Sequence, residues 1–132
     1  MSILRLGAGA GFQGDRIAPA VDLAERGKLD YLIFECLGER TIALAQQARR
    51  EDAAKGYDPL LERRMRAVLP ACVRNGTRIV TNMGAANPRA AAEKTRAVAR
   101  ELGLTGLRVA AVTGDDVVDQ VGDFVLDETG AP

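Results

Sequence analysis

The sequence predicts an α/β protein with a three-layer, mostly parallel sheet and flanking helices, a Rossmann-like arrangement, with half of a β/α barrel as the alternative. Three observations carry that prediction. Short runs rich in β-branched and aliphatic residues alternate with longer segments of helical periodicity. The runs after the first are nearly continuous in hydrophobicity, as strands covered on both faces are. Glycines, carboxylates and amides gather just past the ends of those runs, where parallel α/β sheets bind ligands.

The first predicted strand is Ile3-Leu4-Arg5-Leu6, leading into a glycine-rich stretch from Gly7 to Gly14. Residues 29–37, 77–82 and 107–113 form the next three strands, and Phe124-Val125-Leu126 a short last one. Between them, Asp15 is placed to cap a helix over 16–26 that ends at Gly27, with Pro19 tolerated in its first turn. A second helix is predicted from Glu39 to about Asp52. The third takes Asp58 as cap and Pro59 as first helical residue and runs to Arg74, with Asn75-Gly76 as its stop. Pro70 lies inside it and predicts a kink or break. The fourth starts at Asn87-Pro88 and ends at Leu102-Gly103. Such alternation implies parallel pairing through right-handed crossovers. The expected organisation is one domain over 1–126, a shortened α/β unit, followed by a flexible tail over 127–132.

Composition narrows the function. The 132 residues suffice for one hydrophobic core without disulfides. Basic and acidic residues balance at 18 each, and the arginines sit among carboxylates, so nothing resembles a nucleic-acid footprint. With no His and only Cys36 and Cys72, the chain cannot build a four-ligand zinc site or a His-dependent nucleophile. No metal site is therefore assigned. Two carboxylates at Asp115 and Asp116 could hold Mg²⁺ through oxygen, but an Asp there more often caps the following segment. No signal peptide opens the sequence and no apolar stretch reaches about 18 residues, so a cytoplasmic protein with no membrane partner is expected.

The candidate site gathers the residues that follow each predicted strand. Gly9, Gly11 and Gly14 form a GxGxxG pattern, with Glu35 about 20 residues further on, which alone is a dinucleotide fingerprint. Against it, the helix is predicted to open only after Gly14, so its N-terminus would not face a pyrophosphate. A loop demanding close backbone approach, or an anion nest of N–H groups, fits the glycines equally well. Asp15 and Arg16 complete that loop. Glu35 is the candidate catalytic acid or base, with a raised pKa if buried, or else a structural partner of Arg16 or Arg40. Asp115 is the second candidate catalytic carboxylate. Asn82, Gly84 and Asn87 are candidate ligand-binding residues; Asn87 is also explained as a helix cap, whereas Asn82 is not. Cys36 and Cys72 are expected to pack in the core.

The runs GAGFQGDRIAPAVDLAERGKLDYLIFECLGERTIALAQ, GYDPLLERRMRAVLP, RIVTNMGAANPRAA and AAVTGDDV closely resemble the N-terminal region of the acyclic terpene utilisation (AtuA) family, from about Arg5 to about Val117. The resemblance implies a catabolic protein of acyclic terpene or related branched-acid degradation, which proceeds through acyl-CoA thioesters. It would bind a small branched organic acid or its acyl-CoA thioester, with lyase or hydratase chemistry if it is an enzyme. It assigns no role to any single residue and names no cofactor. Family members are several times longer, so a companion chain or self-association is expected. Two other classes stay open: a dinucleotide-binding oxidoreductase domain and a non-catalytic subunit of a split protein.

Overall fold

The structure is a computed structural model and describes residues 3–123. Three parallel strands form one sheet in sequential order: β1 (Leu6–Ala10), β2 (Tyr31–Phe34) and β3 (Arg78–Thr81). Four helices connect and follow them: α1 (Ala18–Arg26), α2 (Glu39–Glu51), α3 (Leu61–Asn75) and α4 (Pro88–Glu101), with a 3₁₀ turn at Val118–Asp123. The α/β class and parallel pairing agree with the sequence reading. Register places Leu6 beside Tyr31, and Tyr31 beside Arg78; two residues on, Ala8, Ile33 and Val80 align.

The first strand lies later than predicted, within the glycine stretch itself. Gly7 and Gly9 face the helices, and side chains of β2 and the segment before it occupy the space their Cβ atoms would need. Leu29 fills the position over Gly7, and a Cβ on Gly9 would lie 2.6 Å from Phe34 Cε1. The glycines are strand residues because a large ring and an isobutyl group must sit against the backbone there.

Alternation along β2 buries Leu32, Phe34 and Cys36 on that same side. They meet Ala20 and Ala24 of α1, and Leu61, Met65, Val68, Leu69 and Cys72 of α3. Both α1 and α3 pack on the sheet, and α4 stacks beside α3 through Ala91, Ala92, Thr95, Val98 and Ala99. Strands added in one direction by crossovers of one hand place their helices on one face. The opposite face carries no helix among the described residues, and α2 packs on no strand. Leu6, Ile33 and Val80 stand there 58%, 37% and 53% exposed. The described residues thus form two layers, the sheet and one layer of helices, where the sequence predicts three.

Four local predictions need correction. Residues 107–113 belong to no sheet: Leu107 packs against the core, Arg96 Nη2 donates to Val109 O at 2.8 Å, and Val112 is exposed. An apolar β-branched run becomes a strand only when a neighbour completes its ladder. Second, α1 begins at Ala18 with no side-chain cap, because the Asp15 carboxylate turns back to the N–H groups of Gly11 and Arg16. Third, α3 starts at Leu61 rather than Pro59; Asp58 does bond the N–H of Leu60 at 2.7 Å. Finally, α3 continues through Pro70 without interruption, held by the buried Val68, Leu69, Ala71 and Cys72. Its end matches prediction: Gly76 is left-handed and donates to the Cys72 and Val73 carbonyls. The proposed strand at Phe124-Val125-Leu126 and the tail lie outside the described residues. Among the described residues, no helix is long and apolar enough to cross a membrane.

Candidate functional site

Parallel strands deliver their C-terminal ends to one edge, and the loops leaving β1, β2 and β3 meet there. A side chain absent from the sequence predictions organises this edge. Arg64 lies on the core face of α3, in step with Leu61, Met65, Val68 and Cys72, and is completely buried. Its Nη2 donates to the carbonyls of Gln13 at 2.7 Å and Asp15 at 3.1 Å, in the loop after β1. Its Nη1 reaches Asp58 Oδ2 at 3.1 Å, Cys36 Sγ at 3.3 Å after β2 and Met83 Sδ at 3.7 Å after β3. Only Arg offers a planar fork wide enough to serve so many acceptors at once. Its Nε has no partner among the described residues.

Asp58, only 2% exposed, completes the hub. Its N–H donates to Met83 O at 2.8 Å, tying the segment before α3 to the end of β3. Burial pushes its carboxyl above the usual carboxylate range, against the opposing pull of the Leu60 N–H and of Arg64. The Cys36 thiol is pushed up to about 11 by burial, and Cys72 likewise to about 11. Neither is a thiolate near neutral pH, in keeping with the packing role expected of both.

Beside this hub sits a polar network that runs from the half-buried Asn82 to the exposed Glu35. Asn82, at the end of β3, accepts from Cys36 N at 2.8 Å and donates to Glu35 Oε1 at 2.9 Å. The same Oε1 accepts from Leu37 N at 3.1 Å, and Oε2 has no partner among the described residues. Glu35 is exposed, and the Asn82 amide, followed by the Leu37 N–H, holds its carboxyl below the usual value. The raised pKa expected of a buried Glu35 is therefore overturned, as is its pairing with Arg16 or Arg40: strand alternation turns Glu35 outward while Cys36 turns in. Asn82→Ala should bring the Glu35 carboxyl back towards 4.5 in a carbon-detected NMR titration. An unchanged titration would assign the shift elsewhere.

The other predicted site residues divide. Gly11 and Asp15 do meet: Asp15 Oδ2 accepts from Gly11 N at 3.0 Å, and that contact, with the Arg16 N–H next, lowers the Asp15 carboxyl. Arg16 is exposed beside them, and Gly14 lies against the Phe12 ring. Gly9 is placed below, in β1, under Phe34. Gly84 permits close approach of Pro88, whose Cα would lie 2.9 Å from a Cβ. Asn87 caps α4 by accepting from Ala90 N at 3.3 Å, and donates to the carbonyls of Ala53 and Lys55 at 2.9 and 2.7 Å. Asp115 is exposed and makes no hydrogen bond to these residues; its neighbour Asp116 pairs with Arg49 at 2.7 Å and accepts from Val118 N.

Beside the rim, a groove of about 590 Å³ runs along α4 from Asn87, Ala53 and Tyr57 past Arg89 and Lys94 to Arg100. A second, of about 400 Å³, lies at the far end of α4 between Arg96 and Val109, away from the strand ends. The one signal for Arg64 in the sequence was a charge at an apolar position of α3, easily taken for a solvated residue among Arg63 and Arg66.

Three comparisons with known proteins bear on this site. No curated protein and no solved structure matches the chain. The sequence model described as acyclic terpene utilisation family protein AtuA matches residues 4–129, nearly the whole length, and the chain belongs to that family.

Proposed function

We propose that the strand-end rim binds a small branched organic acid as its acyl-CoA thioester, within the acyclic terpene utilisation for which the family is named. The observation that carries this reading is Glu35: an exposed, ionised carboxylate, oriented through Oε1 by Asn82 and Leu37 and left with Oε2 open. Such a group can take a proton from a carbon next to a thioester carbonyl and return it, the step that lyases and hydratases share. Its lowered pKa keeps it ionised, so in the resting state it is available to accept a proton and not to donate one.

The groove along α4 supports the thioester over the free acid. Arg89 and Arg100 offer guanidinium groups to phosphates, and Tyr57, Ala90 and Ala97 offer apolar wall to a pantetheine arm. Lys94 is partly occupied by Glu62 at 3.5 Å. The rival dinucleotide reading loses its supports: Gly9 serves Phe34, the Gly11 N–H is taken by Asp15, and α1 opens at Ala18, beyond the motif.

A branched acyl-CoA thioester should raise the thermal midpoint, by roughly 10 °C where ligand reaches about 100 times its dissociation constant. Free CoA should raise it less, and NAD not at all. Glu35→Gln should keep the thermal shift while abolishing consumption of the thioester. A shift with NAD alone, or full turnover by the Gln variant, would remove this reading.

A further inference from the structure

We propose that the open face of the sheet is a self-docking surface, on which a second copy of this chain lies antiparallel about a two-fold axis. The face has a simple order along the strands. At the N-terminal end stands Arg78, next to Tyr31 and Leu6; in the middle lie Ala8, Ile33 and Val80; at the C-terminal end Glu35 follows Ile33 with the same facing. Both charges lack an ion-pair partner among the described residues. Arg78 is instead held by the Tyr31 hydroxyl at 2.8 Å, with its guanidinium 5.5 Å from the ring centroid. Glu35 is held by Asn82.

Opposite charges therefore cap the two ends of one apolar strip. Register sets Arg78 level with Tyr31, so Glu35 lies four residues further along, roughly 13 Å at the rise of a parallel strand. A two-fold axis lying in the plane between the two sheets and running across the strands sets Ile33 and Val80 of one copy on the same strip of its partner. It also brings each Arg78 to the partner's Glu35, one strand over, giving two equivalent ion pairs; Glu35 is then occupied, so the dimer and thioester binding at the rim exclude one another. Sheets pack face to face with their strands within about 30° of alignment, which an antiparallel pair satisfies. A two-fold contact has to be complementary to itself, and a strip positive at one end and negative at the other meets that condition only when antiparallel. A parallel stacking would set Arg78 on Arg78 and Glu35 on Glu35.

Sedimentation velocity over a rising concentration series, on the full chain, tests this. The unaltered protein should form a reversible dimer. Ile33→Glu should give a monomer with an unchanged circular dichroism spectrum, since Ile33 lies outside the core. Arg78→Glu gives an all-acidic strip and Glu35→Arg an all-basic one, so each alone should lose affinity by about tenfold or more. Mixing these two variants should restore association as a heterodimer, because both ion pairs are then re-formed, one with its original signs and the other with its signs reversed. A fold defect in either variant could not produce that rescue. Two results overturn the proposal: a monomer for the unaltered protein at the highest concentration, or a dimer whose strength ignores the charge changes.

Discussion

Replacing Arg64 with Ala is expected to destabilise the fold by about 3–5 kcal/mol, the cost of breaking a buried ion pair from one side. Asp58 would keep its carboxylate with no cation beside it, and the carbonyls of Gln13 and Asp15 would lose their donors. A second substitution should lessen the damage. With Asp58→Asn and Arg64→Met together no unpaired charge is left inside, and the pair should cost less than Arg64→Ala alone. Urea denaturation measures both, and a loss under about 1 kcal/mol for Arg64→Ala would show that the hub does not hold the strand ends together.

The acid-side loss of stability should be shallower in that variant than in the parent. In the unaltered protein the carboxyls of Asp15, Glu35, Glu62 and Asp116 are lowered, by backbone N–H groups, by Asn82 and by Arg66 and Arg49. Each contributes stability that is present above its unfolded value, near 3.8 for Asp and 4.5 for Glu, and is lost as pH falls through the folded one. Asp58 has the other sign. Burial raises its pKa, so the folded state binds the proton more tightly and acid favours folding there. Without Arg64 that term grows, and Arg64→Ala should lose less of its stability than the parent as pH falls through the Asp58 titration.

Gly9→Ala is expected to cost about 1–3 kcal/mol by overpacking. Its new methyl would meet Phe34 Cε1 at 2.6 Å, Cζ at 2.9 Å and Cδ1 at 3.0 Å, and that ring is buried. Phe34→Leu removes the ring edge, so the double variant should be more stable than the sum of the single losses predicts. Strict additivity would mean that Gly9 is needed for a reason other than Phe34. Here the formal GxGxxG pattern and the observed structure part company. The spacing reads as a phosphate loop, yet the residue that uses the missing side chain lies 25 positions away and only the sheet brings it near.

Much of the architecture was legible because it rests on local signals. Helix α4 follows from Asn87-Pro88, and the end of α3 from Asn75-Gly76; each is a backbone need met by one or two residues. The fold class followed from alternation, and β2 and β3 from β-branched runs. What escaped depends on partners distant in sequence. Residues 107–113 carry strand propensity but no ladder neighbour. Arg64 looks like any surface arginine until α3 is laid on the sheet, where its helical phase turns it into the core. Asn82 stood out in the sequence for having no capping role. Its use as the link between Cys36 and Glu35 could be seen only once β2 and β3 were paired. Glu35 was placed at the right end of the right strand, but its exposure depends on which face the helices leave open.

The central claim is that the ends of β1, β2 and β3 form one unit, held from beneath by Arg64, on which the rim network depends. Amide hydrogen exchange in Arg64→Lys, which keeps the charge and loses the fork, tests it most directly. Gly11, Cys36 and Asp58 donate to Asp15, Asn82 and Met83, one bond in each loop system, and their exchange should quicken together while the amides of the β1–β2 ladder keep their protection. Quickening at one of the three with the other two unchanged would contradict it, and the rim would then be three separate loops.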